Sequence, residues 1–120
     1  MPDSPNLILA TKNLPKVLAA QQLSASVESV YQVPNATAVT IATATLCNTS
    51  GTTRTVTVHV VKAAQSATNG NKVAIIELAP GESCVIDELI GLLLGPADGI
   101  SVGASAASSV AIVLSGAVSS

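Results

Sequence analysis

Arg54-Thr55-Val56-Thr57-Val58-His59-Val60-Val61-Lys62 is the stretch that decides the fold. Val56, Val58 and Val60 recur every second residue, and Thr55, Thr57 and His59 fill the positions between them. A period of two sends successive side chains to opposite faces of an extended chain, one apolar and one polar, which is the pattern of a half-buried strand. The residues are mostly β-branched, stiff at χ1 and suited to a pleated surface.

The same grammar continues on both sides. Upstream, Val39 to Asn48 is a Thr- and Val-rich run closed by the turn Asn48-Thr49-Ser50-Gly51, and Ser29 to Val33 is a shorter one stopped by Pro34-Asn35. Downstream, a loop ending in Asn69-Gly70-Asn71 leads to a strand over Lys72 to Leu78, which Ala79-Pro80-Gly81-Glu82 ends. Ser83 to Leu89 reads as the next strand, with Cys84 and Ile86 on one face and Val85 and Asp87 on the other. Leu92, Leu93 and Leu94 form a short segment for the core or a subunit contact; Gly99 to Ser105 and Val110 to Ala117 are the last two strands. About seven short strands with brief connections predict an all-β chain, an antiparallel β-sandwich of jelly-roll or Ig-like type.

Residues 1–27 differ. They hold Pro2, Pro5 and Pro15 and read as an extended N-terminal arm, leaving 28–120 as the sandwich domain. Leu7 to Ala10 fits a short strand. Lys16 to Leu23 is too short for a stable isolated helix, so it either pairs as a strand or docks on something.

Composition narrows the function. The 120 residues include one Tyr, no Phe and no Trp, so the core is aliphatic and the aromatic anchors of small-molecule sites are nearly missing. Charged residues make up 10 %, against roughly 25 % in ordinary soluble domains. So bland a surface fits a chain covered by neighbours. Lys12, Lys16, Arg54, Lys62 and Lys72 are scattered without aromatic partners, which argues against nucleic acid. The longest apolar run, Leu89 to Leu94, is far short of the roughly 20 residues of a membrane span, and no signal-peptide pattern opens the chain. A cytosolic product is expected, with Cys47 and Cys84 as reduced core residues.

A search for chemistry yields little. His59, the single histidine, is read as an exposed or interface residue on the Thr-lined face of its strand. A Cys47–His59 or Cys84–His59 pair has no local motif behind it. Asp87 and Glu88 are adjacent, so on a strand they face opposite ways and make no carboxylate pair. No phosphate loop, Ca²⁺ loop, dinucleotide fingerprint or nucleophile elbow is present. Asn35-Ala36-Thr37 and Asn48-Thr49-Ser50 match the glycosylation sequon but read as turns. The expectation is a non-enzymatic protein with no catalytic residue, no cofactor, no metal, no small-molecule substrate and no membrane or nucleic-acid partner.

The order of segments carries a resemblance. Val30-Tyr31-Gln32-Val33-Pro34 is followed by Leu46-Cys47-Asn48-Thr49, Val56-Thr57-Val58, Leu78-Ala79-Pro80-Gly81-Glu82 and Asp98-Gly99-Ile100. Over residues 15–118 this resembles the small β-sandwich virion structural proteins of tailed bacteriophages. Asp98-Gly99-Ile100 is one residue shorter than that family's usual turn. The resemblance implies a capsid decoration (cement) protein, made in the host cytoplasm and placed on the capsid surface of the virion. Its partners would be the major capsid protein and itself, as a homotrimer. The alternative is a fibre, tail or baseplate-associated module that contacts the host surface. The residues expected to face a partner are Leu7, Ile8, Leu9, Leu14, Val17 and Leu18. Leu7, Ile8 and Leu9 have the alternative of adding an edge strand to the chain's own sheet.

Overall fold

Strand-period apolar residues, cut by Gly, Pro and Asn turns, give nine strands among the residues that the computed structural model describes, 13–119. In chain order they are β1 (Asn13–Gln22), β2 (Glu28–Gln32), β3 (Ala38–Asn48), β4 (Arg54–Val61) and β5 (Lys72–Leu78). β6 (Ser83–Val85), β7 (Leu93–Leu94), β8 (Gly99–Ala104) and β9 (Val110–Ser119) follow. Two 3₁₀ turns, Asn69–Asn71 and Asp87–Leu89, interrupt the loops.

The strands form two sheets, paired antiparallel throughout. One runs β1-β9-β3-β6, with β7 on the same edge of β3 as β6; the other runs β2-β8-β4-β5. Apart from the β4–β5 hairpin and the short β7, consecutive strands alternate between the sheets. That strand order is the jelly roll, so of the two sandwich types expected it is the one realised. Between the sheets lie Ile41, Leu46, Leu78, Ile86, Leu89, Ile100, Ile112 and Leu114, each fully buried, so the core is aliphatic as the composition requires.

Residues 13–22, placed by sequence reasoning within an arm of 1–27, pair along β9 as the edge strand of the five-stranded sheet. For Lys16 to Leu23 the outcome is therefore pairing. Pro15 costs no ladder bond on an edge, and an extra residue at Leu18 bulges the strand. Residues 1–12, and with them Leu7, Ile8 and Leu9, lie outside the described residues.

Two expectations are corrected. The strand read over Ser83 to Leu89 stops at Val85. Ile86 donates its N–H to the Ala44 carbonyl, and the 3₁₀ turn at Asp87–Leu89 follows. Three residues per turn align Ile86 with Leu89, so both enter the core while Asp87 and Glu88 stay exposed. Strand alternation would have sent Leu89 outward.

His59 is the second correction. Its register with Ser101 puts it on the outer side of its sheet, as its Thr neighbours imply, yet it is only 4 % exposed. Asn71, on the loop that links β4 to β5, bonds it there. Its Oδ1 accepts from Thr68 N–H at 2.9 Å and its Nδ2 donates to the Ser66 carbonyl at 2.9 Å, which fixes the amide's orientation. The 2.9 Å contact between His59 Nδ1 and Asn71 Oδ1 must then be Nδ1–H donating. His59 is a loop anchor, and no periodicity could announce a loop folding back.

Among the described residues four non-glycines, Ala36, Ala64, Ala97 and Ser108, hold φ between 56° and 66°. At Ala97 the left-handed conformation closes the turn from Gly95 to Asp98 and lets its N–H reach the Val33 carbonyl. An L-residue there costs about 1–2 kcal/mol, and glycine gives back part of the gain through unfolded-state entropy. Ala97→Gly is expected to raise stability by about 0.5 kcal/mol, read as a higher midpoint in urea. A lower midpoint would show that the turn carries no such strain.

Candidate assembly surface

The register defines what the five-stranded sheet shows to solvent. Ala20, Val113, Thr45 and Val85 lie side by side across β1, β9, β3 and β6. Next come Val17, Ser115 and Thr43, the last two joined hydroxyl to hydroxyl at 2.6 Å. Pro15, Ala117, Thr40 and Leu93 form the following row. Gln22, Ala111, Cys47 and Ser83 close one end, and Asn13, Ser119 and Ala38 the other. None of these positions carries an ionisable acid or base other than the Cys47 thiol. Val17 is 59 % exposed, Leu93 75 % and Val113 42 %. A shallow depression of about 430 Å³ lies among Pro15, Lys16, Val17, Thr40, Ser115 and Ala117, over Gly116.

Within the five strands the one charged residue is Lys16, at the β1 edge beside this depression. Glu28, Lys72 and Glu77 belong to the four-stranded sheet, and Lys62 to the loop after β4. An exposed sheet face ordinarily alternates to polar and charged residues, and apolar residues in both phases mark a sheet covered on both sides. Val110-Ala111-Ile112-Val113-Leu114 has no polar phase at all. That run is the signal by which Val113 could have been found from the sequence. Val85 and Leu93 had none beyond hydrophobicity.

Of the residues expected to face a partner, Val17 lies on this face. Leu14 is 58 % exposed at the end of β1, but in the inward row beside Val118. Leu18, at the bulge, is half-buried against the core. The structure thus separates Val17 from Leu14 and Leu18.

The remaining candidates for chemistry do not converge. Cys84 sits in register with the buried Leu46 and faces inward, whereas Cys47 lies on the outer face of the same sheet; both are free thiols. His59 belongs to the outer side of the other sheet, so the core stands between it and Cys47. A groove of about 300 Å³ beside the loop after β4 is lined by Glu28, Gln32, Gln65, Ser66 and Ser101, and holds no aromatic platform. Tyr31 is half-buried against the core, and burial pushes its phenol pKa up. Among the described residues no three His, Cys, Asp or Glu gather as metal ligands.

No family model and no curated protein matches the sequence. Among solved structures, the chain is similar to one from Bacillus endospore appendages, which form a novel family of disulfide-linked pili. The likeness has a TM-score of 0.55 at 13 % identity and covers 98 % of this chain and 96 % of that one. It is a likeness of fold.

Proposed function

We propose that this chain is a non-enzymatic structural subunit of a larger assembly, with the outer face of its five-stranded sheet covered by a neighbour. The sparsely charged outer face carries the reading: its outward rows are Val, Leu, Ala, Pro, Thr and Ser, and the one charge in its five strands is Lys16 at the β1 edge. Burying such a face gains apolar contact at little desolvation cost, because its one lysine stands at the edge. The sequence resemblance to tailed-phage virion proteins favours a capsid as the assembly and the major capsid protein as the neighbour, which makes the chain a decoration protein. The solved chain of similar fold belongs to appendages that form pili, in line with the broader reading.

The test is Val17→Lys with Val113→Lys, two exposed sites where a lysine leaves the core untouched. An unpaired charge buried in a contact costs about 3 kcal/mol, or about a hundredfold in affinity. Purified chain is mixed with capsids stripped of surface proteins, and the bound fraction is read after sedimentation. The variant is expected to stay in the supernatant with an unchanged circular dichroism spectrum. Equal occupancy by variant and wild type would sink the proposal.

A further inference from the structure

We infer that β5 pairs edge to edge with β5 of a second copy of this chain, joining two four-stranded sheets across a two-fold axis. Among the described residues β5 pairs only with β4, so its far side offers an unpaired row of backbone donors and acceptors. Native proteins guard such edges with proline, charge, bulges or brevity. β1 has Pro15, Lys16 and its bulge; β2 is five residues long, starts at Glu28 and is irregular at Val30; β6 and β7 have three residues and two. β5 carries charge only towards its ends, at Lys72 and Glu77, with an extra residue at Val73 beside the first, and leaves Ala74-Ile75-Ile76 unguarded. Ile75 is 64 % exposed, and a shallow depression runs along Lys72 to Ile75.

The charges at its ends say what pairs there. Ile75 and Glu77 share the outer side of the sheet with Thr57 and Thr55, and the register shift near Val58 brings Lys72 to that side too, opposite His59. Along one face the order is therefore cation, exposed isoleucine, anion. An antiparallel partner of the same sequence, turned about an axis through Ile75, sets Ile75 against Ile75. Each Glu77 then lies towards the second copy's Lys72, once at either end. A two-fold contact must be self-complementary, and this edge is so in its unpaired backbone groups and in charge. The contact lies on the four-stranded sheet and stands independently of the outer face of the five-stranded one.

Sedimentation equilibrium of the full chain reads the contact. Ile75→Lys is expected to leave a monomer. Lys72→Glu and Glu77→Lys each set like charges together twice, and should weaken the dimer by about tenfold. The double variant Lys72→Glu with Glu77→Lys restores opposite charges and should return the dissociation constant to near wild type. A wild-type monomer at every concentration overturns the inference, as does a double variant weaker than either single one. Loss of the dimer in Val17→Lys with Val113→Lys but not in Ile75→Lys also overturns it, by moving the contact to the other sheet. If deleting residues 2–12 weakens association as much as Ile75→Lys and the charge swap restores nothing, the edge receives that segment of a neighbour, and the two-fold pairing is wrong.

Discussion

Gly116→Ala is expected to cost about 3 kcal/mol of stability, a large share of the 5–15 kcal/mol that holds a domain of this size together. Gly116 lies on β9 where its pairing with β3 shifts register, between the Ser115–Thr43 and Gly116–Ile41 partners. A Cβ there would run into the Thr40 carbonyl oxygen, with the Thr40 carbonyl carbon at 3.1 Å and Ile41 Cα at 3.2 Å. All three are backbone atoms of the neighbouring strand, which no rotamer change can move. Relief requires β3 and β9 to part, and these strands lie at the centre of the sheet and supply Ile41, Leu46, Ile112 and Leu114 to the core. Urea unfolding reads the loss. Gly51→Ala is the control: its added Cβ meets nothing within 4 Å, and its φ is not positive. If the two variants unfold at the same urea concentration, the close approach of β3 and β9 is not what reserves this site for glycine.

Local pattern made much of this fold legible. β4 was readable because Val56, Val58 and Val60 alternate with Thr55, Thr57 and His59, and β8 and β9 because large aliphatic residues recur every second position at Ile100 and Val102 and at Val110, Ile112 and Leu114. The sandwich followed from strand number and spacing. What alternation could not show was any element set by contacts distant in sequence. Lys16 to Leu23 reads locally as a run too short for a stable helix, with pairing and docking both open, and β9 decides for pairing by offering it an edge. Ile86 and Leu89 look like two strand residues of opposite phase until a 3₁₀ turn brings them to one side. His59 looks exposed until Asn71 closes over it. The assembly face was half legible. Val17 could be singled out as an apolar residue of the Pro-containing N-terminal segment, whereas Val113 hides among core residues and reveals itself only when the register places it outward. Ile75 was hidden in the same way, inside a run that reads as an ordinary strand, because whether a strand lies at a sheet edge depends on strand order rather than on its own sequence.

Asn48 is the second site where a small change should be severe, and the effect should depend on pH. The side chain is 0 % exposed at the end of β3. Its Nδ2 donates towards the carbonyls of Thr52, Leu78 and Ala79 at 2.8, 3.0 and 3.2 Å, and its Oδ1 accepts from the Ser50 N–H and hydroxyl. One amide thus ties β3 to the following turn and to the end of β5, and a group so enclosed is no acceptor for a glycan in the folded chain. Asn48→Asp keeps the shape and replaces the donor with an oxygen aimed at three carbonyl oxygens. Buried and unpaired, the ionised form should cost about 3–5 kcal/mol at neutral pH. The protonated form restores one donor, so folding favours it and raises the pKa of the introduced carboxyl above its unfolded value of about 4. By linkage the protonated group's share of stability is present below that value and is lost as pH rises through the higher folded one. The gap between Asn48→Asp and wild type should therefore narrow towards pH 4 and widen towards neutrality. Asn48→Ala, which has nothing to titrate, should show a deficit of about 3 kcal/mol at every pH. Equal, pH-independent losses in the two variants, compared by urea midpoints across that range, would mean that Asn48 acts by filling space and not by donating to the three carbonyls.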